Sequence, residues 1–124
     1  MNESANRLFR ILVWVFLIAV VAQIFLAGLV TVARQITWSI HEGLGHTMGF
    51  LLIAMLFVAY LGKASREVKL WTWVLFVVWA VQVYLLVIFL RESMPYVAAF
   101  HPVLALADFW LSLRLLGASK TTAA

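Results

Sequence analysis

Hydrophobic residues in this chain do not alternate with polar ones. They come in four long blocks. Ile11 to Ala33 is interrupted by Gln23 and Thr31, and Gly43 to Leu61, Leu70 to Leu90 and Tyr96 to Leu116 follow. Each block is about 20 residues long, which at roughly 1.5 Å of rise per residue crosses a hydrocarbon core of about 30 Å. The pattern predicts four transmembrane helices, at about 8–33, 39–61, 69–91 and 96–116, in one all-α four-helix bundle spanning 1–124. The connections are short, which favours antiparallel neighbours. The first block follows Arg7 and Arg10, as the core of a secretory signal would. It is too long for that role and reaches Arg34 without a small-x-small cleavage site, so it reads as a helix. The small, polar tail from Ala118 onward is expected to fray.

Composition adds two constraints. The chain is 66% hydrophobic and has no cysteine, which removes thiolate ligation, covalent haem attachment and disulfides. The formal net charge of +4 does not point to nucleic acid, because the cations are sorted by side. Arg7, Arg10, Lys63, Arg66, Lys69, Arg114 and Lys120 fall at one end of a four-crossing chain, Arg34 and Arg91 at the other. Positive residues favour the cytoplasm, so a bacterial inner-membrane protein with both termini cytoplasmic is expected.

The polar exceptions within the blocks carry the remaining information, because a polar side chain in hydrocarbon needs a partner. Arg10, Trp14 and Gln23 in the first helix have the spacing of Lys69, Trp73 and Gln82 in the third. His46 and Gly62 in the second have the spacing of His101 and Gly117 in the fourth. The chain therefore reads as two tandem helical hairpins with an approximate two-fold axis along the membrane normal. Rise per residue puts Gln23, Gln82, His46 and His101 in one layer in the outer half of the membrane. His101, Asp108 and Ser112 fall within about 20° of one line on the fourth helix, a polar stripe that must face the bundle interior. Trp14, Trp38, Trp71, Trp73, Tyr60 and Tyr96 sit near block ends and read as an interfacial belt. Trp79 and Trp110 lie deeper and are expected to face lipid or a partner.

Three chemistries compete at "SIHEGLGHTMGF". The string resembles a zinc-protease H-E-x-x-H helix. His46, however, lies five residues after His41, about 140° round a helix, so the two cannot chelate one metal from a regular turn. A b-type haem needs two axial imidazoles at matching depth, here His46 and His101. Gly45 and Gly49 would leave room for the ring, Arg34 and Arg91 would meet outward propionates, and Gln23 and Gln82 would orient the ligands. His41 reads as a spare at the aqueous lip or an alternative ligand. Glu42 would hold His46 or favour the helix N-terminus. The third chemistry is cofactor-free. Gly45-x3-Gly49 is then a packing motif, His and Gln are interhelical glue worth about 0.6 to 2 kcal/mol per pair, and Asp108 is a protonated, hydrogen-bonded acid; its functional alternative is to pass protons between the outer His layer and the inside.

At "AQIFLAGLV", "IHEGLGH" and "FHPVLAL" the chain resembles a group of small bacterial four-helix membrane proteins catalogued as a domain of unknown function. The resemblance rests on Gln23, Ala27, Gly28, His41, Gly45, Gln82, His101 and Pro102. It implies the four-helix fold and moves weight from His46 to His41. The expected function is a haem b electron-transfer module working with a redox partner or quinone. The alternatives are a non-catalytic accessory subunit of a larger membrane complex and a quinone- or lipid-binding protein. No independent catalytic residue stands out.

Overall fold

The computed structural model describes residues 1–120, and helices are the regular structure found among them. α1 spans Glu3–Gly28 and continues as a π-helical segment, Leu29–Ala33. α2 spans Trp38–Leu61, and α3 spans Arg66–Ala80 before widening into a π-helix over Val81–Leu90. α4 is a single turn, Pro95–Ala98, leading into α5, His101–Ala118. Four stretches, Glu3–Ala33, Trp38–Leu61, Arg66–Ile88 and Pro95–Ala118, are long and apolar enough to cross a membrane. Their outward side chains suit hydrocarbon: Ile18, Phe25, Phe50, Phe57 and Leu106 are all large, apolar and exposed. This is a four-helix membrane protein.

Local chemistry sets the boundaries. Asn2 and Ser65 accept bonds from the backbone N–H groups of Ala5 (2.8 Å) and Val68 (3.3 Å), capping α1 and α3. Arg34 closes the first span in a left-handed conformation, and Lys63 adopts the same conformation in the turn before α3. The fourth crossing, expected as one helix from 96, breaks at Ala99 and Phe100. Pro102 has no N–H to bond the carbonyl four residues back, so helix cannot run unbroken through it. The end of the tail, beyond residue 120, lies outside the described residues.

α1 packs against α2 and α5, and α3 packs against the same two helices. The bundle is therefore a ring in the order α1, α2, α3, α5, with α2 and α5 across one diagonal. The core is densest toward the end that carries the 62–65 turn, where Phe9, Phe16, Leu52, Met55, Leu75 and Leu115 are fully buried. Arg10 ties the two ends of the chain together there, donating to the Leu116 carbonyl (2.7 Å) and Ser119 Oγ (2.9 Å).

Buried positions repeat along the chain. In α1 and α3, Phe9, Val13, Phe16 and Val20 correspond to Val68, Thr72, Leu75 and Trp79, at a constant shift of 59 that also relates the half-buried Gln23 to Gln82 just beyond α3. In α2 and α5, Met48, Leu52, Met55 and Ala59 correspond to Asp108, Ser112, Leu115 and Ser119, at a shift of 60. These registers describe two tandem hairpins. The spacing that pairs His46 with His101 belongs to a different register, a shift of 55. Gly117 lies within α5, not at its cap as Gly62 does in α2.

The glycines of α2 are contact points rather than open space. A Cβ on Gly49 would collide with the Trp79 indole, and one on Gly45 would meet Gln23 Nε2 at 2.8 Å. Trp79, expected toward lipid or a partner, is instead buried and donates through Nε1 to the Gly45 carbonyl (3.0 Å). Gly49→Val should therefore overpack the α2–α3 contact and cost about 1–3 kcal/mol. Gly43, where an added Cβ meets nothing within 4 Å, is the control. Thermal unfolding in mild detergent should show a lowered midpoint for Gly49→Val and none for Gly43→Ala.

Candidate functional site: a paired-histidine layer

Two imidazoles meet between diagonal helices. His41 in the first turns of α2 and His101 at the start of α5 have ring centroids 6.1 Å apart and planes inclined by 59°. Each ring is held by the helix that precedes it in the chain. His41 Nδ1 lies 3.2 Å from the Gln23 carbonyl oxygen, and His101 Nδ1 lies 3.2 Å from the Gln82 carbonyl oxygen. A carbonyl can only accept, so each bond requires the proton on Nδ1 and, in the neutral ring, a lone pair on Nε2. Among the described residues, no hydrogen bond reaches Nε2 of either ring. With Nδ1 of each ring turned to a backbone carbonyl, Nε2 is the nitrogen left to meet a ligand.

The two halves are similar but not identical. Gln23 closes a reciprocal pair by donating its Nε2 to the His41 carbonyl at 2.9 Å. Its own Oε1, and Oε1 of Gln82, are buried with no hydrogen-bond partner. Gln82 lies within the π-helical segment, where wider turns rearrange the backbone carbonyls. The Trp38 ring packs edge-on against His41 at 5.3 Å and limits motion of that imidazole.

The other residues picked out from the sequence are distributed as follows. His46 is exposed, and its ring lies 5.8 Å from that of Tyr84, so it does not reach His101. Glu42 is exposed, and no hydrogen bond joins it to His46. Gly45 and Gly49 hold Gln23 and Trp79 against α2, so the volume beside them is filled. Arg34 and Arg91 are exposed at the same end of the bundle as the histidine layer, Arg91 beside Glu92 at 3.3 Å. Asp108 is buried in α5, and its Oδ1 has no partner. No group of three or more His, Cys, Asp or Glu that could hold a metal ion occurs among the described residues. Two imidazoles alone are an axial pair rather than a closed metal site.

The signal for His41 over His46 was present in the numbering. His41 precedes His101 by 60 residues, within one of the Gln23–Gln82 shift, whereas His46 precedes it by 55. The model of the family of unknown function DUF6220 matches residues 23–88, more than half of the chain. The chain belongs to the DUF6220 family. The matched segment opens on Gln23, contains His41 and Gln82, and ends before His101. No curated protein and no solved structure matches this DUF6220 chain.

The histidine layer should be measurable as an interhelical tether. Gln23→Leu removes the bond to the His41 backbone carbonyl, and His41→Phe removes the bond to the Gln23 backbone carbonyl. Each should lower the unfolding free energy by about 0.6 to 2 kcal/mol, and the two losses should add in the double variant. His46→Ala, on an exposed side chain, should stay within about 0.5 kcal/mol of the parent.

Proposed function

We propose that this protein is a small electron-transfer module that holds one b-type haem between His41 and His101 in a bacterial inner membrane, with both termini cytoplasmic. One observation carries the reading: two imidazoles on diagonal helices, 6.1 Å between ring centres, each with Nδ1 spent on a glutamine backbone carbonyl. Two metal–nitrogen bonds of about 2 Å each, plus the half-width of each ring, need about that separation. The orientation rests on the seven cations at one end against Arg34 and Arg91 at the other.

The surroundings support the fit in part. Outward of the glutamine layer, Leu26 and Val30 of the first span are half-buried side chains that a flat macrocycle would cover. Gly28 has nothing within 4 Å of an added Cβ. Arg34 and Arg91 stand at that end to meet carboxylates. The backbone carbonyls of Gln23 and Gln82 orient the rings and leave Nε2 as the nitrogen free to ligate, and Trp38 limits rotation of His41. A bound haem supplies a one-electron couple. A single site near one face calls for a redox partner or quinone to bring electrons the rest of the way.

A second reading has its own observation. The reciprocal Gln23–His41 bonds already stitch α1 to α2 without any cofactor, as a non-catalytic accessory subunit of a larger complex would require. A visible spectrum separates the two. Haem-supplemented protein in mild detergent should give a Soret band that shifts on dithionite reduction, with resolved α and β bands. His41→Ala and His101→Ala should each abolish the six-coordinate spectrum, and His46→Ala should keep it. A folded protein that stays colourless after haem is offered removes the cytochrome reading and leaves the subunit.

A further inference from the structure

The internal repeat isolates a polar line that exists in one hairpin only. Asp108, Ser112 and Thr72 are all buried. Their counterparts at the shifts of 60 and 59 are Met48, Leu52 and Val13, equally buried and all apolar. The same architecture is therefore stable with hydrocarbon at these three positions, and packing does not call for the polar set. Two of the three are satisfied locally: Ser112 Oγ donates to the Asp108 carbonyl and Thr72 Oγ1 to the Val68 carbonyl, both at 2.7 Å. The Asp108 carboxyl is not, since its Oδ1 has no partner.

The charged groups on the helices packed against α5 lie elsewhere. Arg10 of α1 is bonded to Leu116 and Ser119, and Glu67 of α3 is 3.7 Å from Arg114. Lys69 of α3 sits over the Tyr60 ring. An ionised carboxylate at Asp108 would have no counter-charge, so the group rests as the acid, with an O–H that needs an acceptor. Among the described residues, the other hairpin-two side chain with a buried, unpartnered oxygen is Gln82, through Oε1. In a helix the Cα–Cβ bond tilts toward the N-terminus. α3 runs outward and α5 runs inward, so the Gln82 side chain tilts down from the histidine layer and the Asp108 side chain tilts up toward it. A donor without an acceptor and an acceptor without a donor thus incline toward each other inside one hairpin. A direct bond or a bridging water satisfies both.

Inward of Asp108 the route closes. Leu111, Leu115, Leu116, Phe9 and Phe16 fill that half of the core. Outward, beyond Gln82, the packing loosens around the half-buried histidines. We propose that Asp108 is an intramembrane proton-binding site that exchanges its proton with the outer aqueous phase past Gln82, and is sealed from the inner phase. The exchange breaks the carboxyl O–H and forms O–H on a bridging water, and the carboxylate is reprotonated by the same route. A site of this kind, about 10 Å inward of the histidine layer, would compensate charge arriving there. That use rests on the haem reading, whereas the proton site does not.

The test needs no haem. Infrared spectra of the full chain in lipid nanodiscs, wild type minus Asp108→Asn, should contain a carboxylic C=O band. That band should shift within minutes of transfer to D2O. Gln82→Met should slow the shift at least tenfold, whereas Ser112→Ala and Thr72→Val leave it unchanged. The proposal is overturned if Asp108→Asn loses no such band, or if the wild-type band is unshifted after hours. It is also overturned if Ser112→Ala or Thr72→Val slows exchange and Gln82→Met does not. Should Gln82→Met fail to fold, the wild-type exchange and the two hydroxyl variants still decide between an outward-open site and a sealed or inward-open one.

Discussion

The bond from an imidazole Nδ1–H to a glutamine backbone carbonyl on the neighbouring helix, made twice, is the constraint around which the histidine end of this bundle is arranged. In hydrocarbon there is no water to satisfy a ring N–H, so each histidine must find an acceptor within the protein. A helical carbonyl retains a second lone pair after its own helix bond. Using it leaves the glutamine side chain free for other work. On one side that work is a return bond to His41. On the other it leaves an oxygen of Gln82 buried and unpartnered. Because Nδ1 is spent in both rings, whatever occupies the space between them meets Nε2.

The contact between α2 and α3 is governed by close packing instead. With lipid as apolar as leucine, helices gain little from burying leucine against leucine, and close approach at small residues matters more. Gly45 and Gly49 provide it, and the Trp79 indole fills the space they leave while bonding the Gly45 carbonyl. At the far end Arg10 reaches across from α1 to the end of α5. The bundle is thus closed firmly at the cation-rich end and held open at the other by a few directed bonds. The internal symmetry survives the change of character, since glutamines and histidines repeat at one end and core positions repeat toward the cation-rich end. It fails at Asp108, Ser112, Thr72 and Ser119, where one hairpin has polar groups and the other has methionine, leucine, valine and alanine.

Four helices, their approximate limits and the tandem-hairpin arrangement were all legible in the chain, because block length and the scarcity of polar residues in hydrocarbon are strong constraints that act one helix at a time. The presence of a His/Gln layer was legible for the same reason. Which histidine belonged to it was not read from depth alone. Rise per residue locates a group along the axis to within about a turn, and the unforeseen break at Ala99 and Phe100 shifts the register of α5 against the other helices. Only the assembled bundle brought His41 to His101, turned His46 outward toward Tyr84, drew Trp79 into the core and left the oxygens of Asp108 and Gln82 unpartnered. Those outcomes depend on how four helices rotate about their own axes against one another, a quantity that the near-uniform apolarity of each helix leaves undetermined until packing and directed hydrogen bonds choose it.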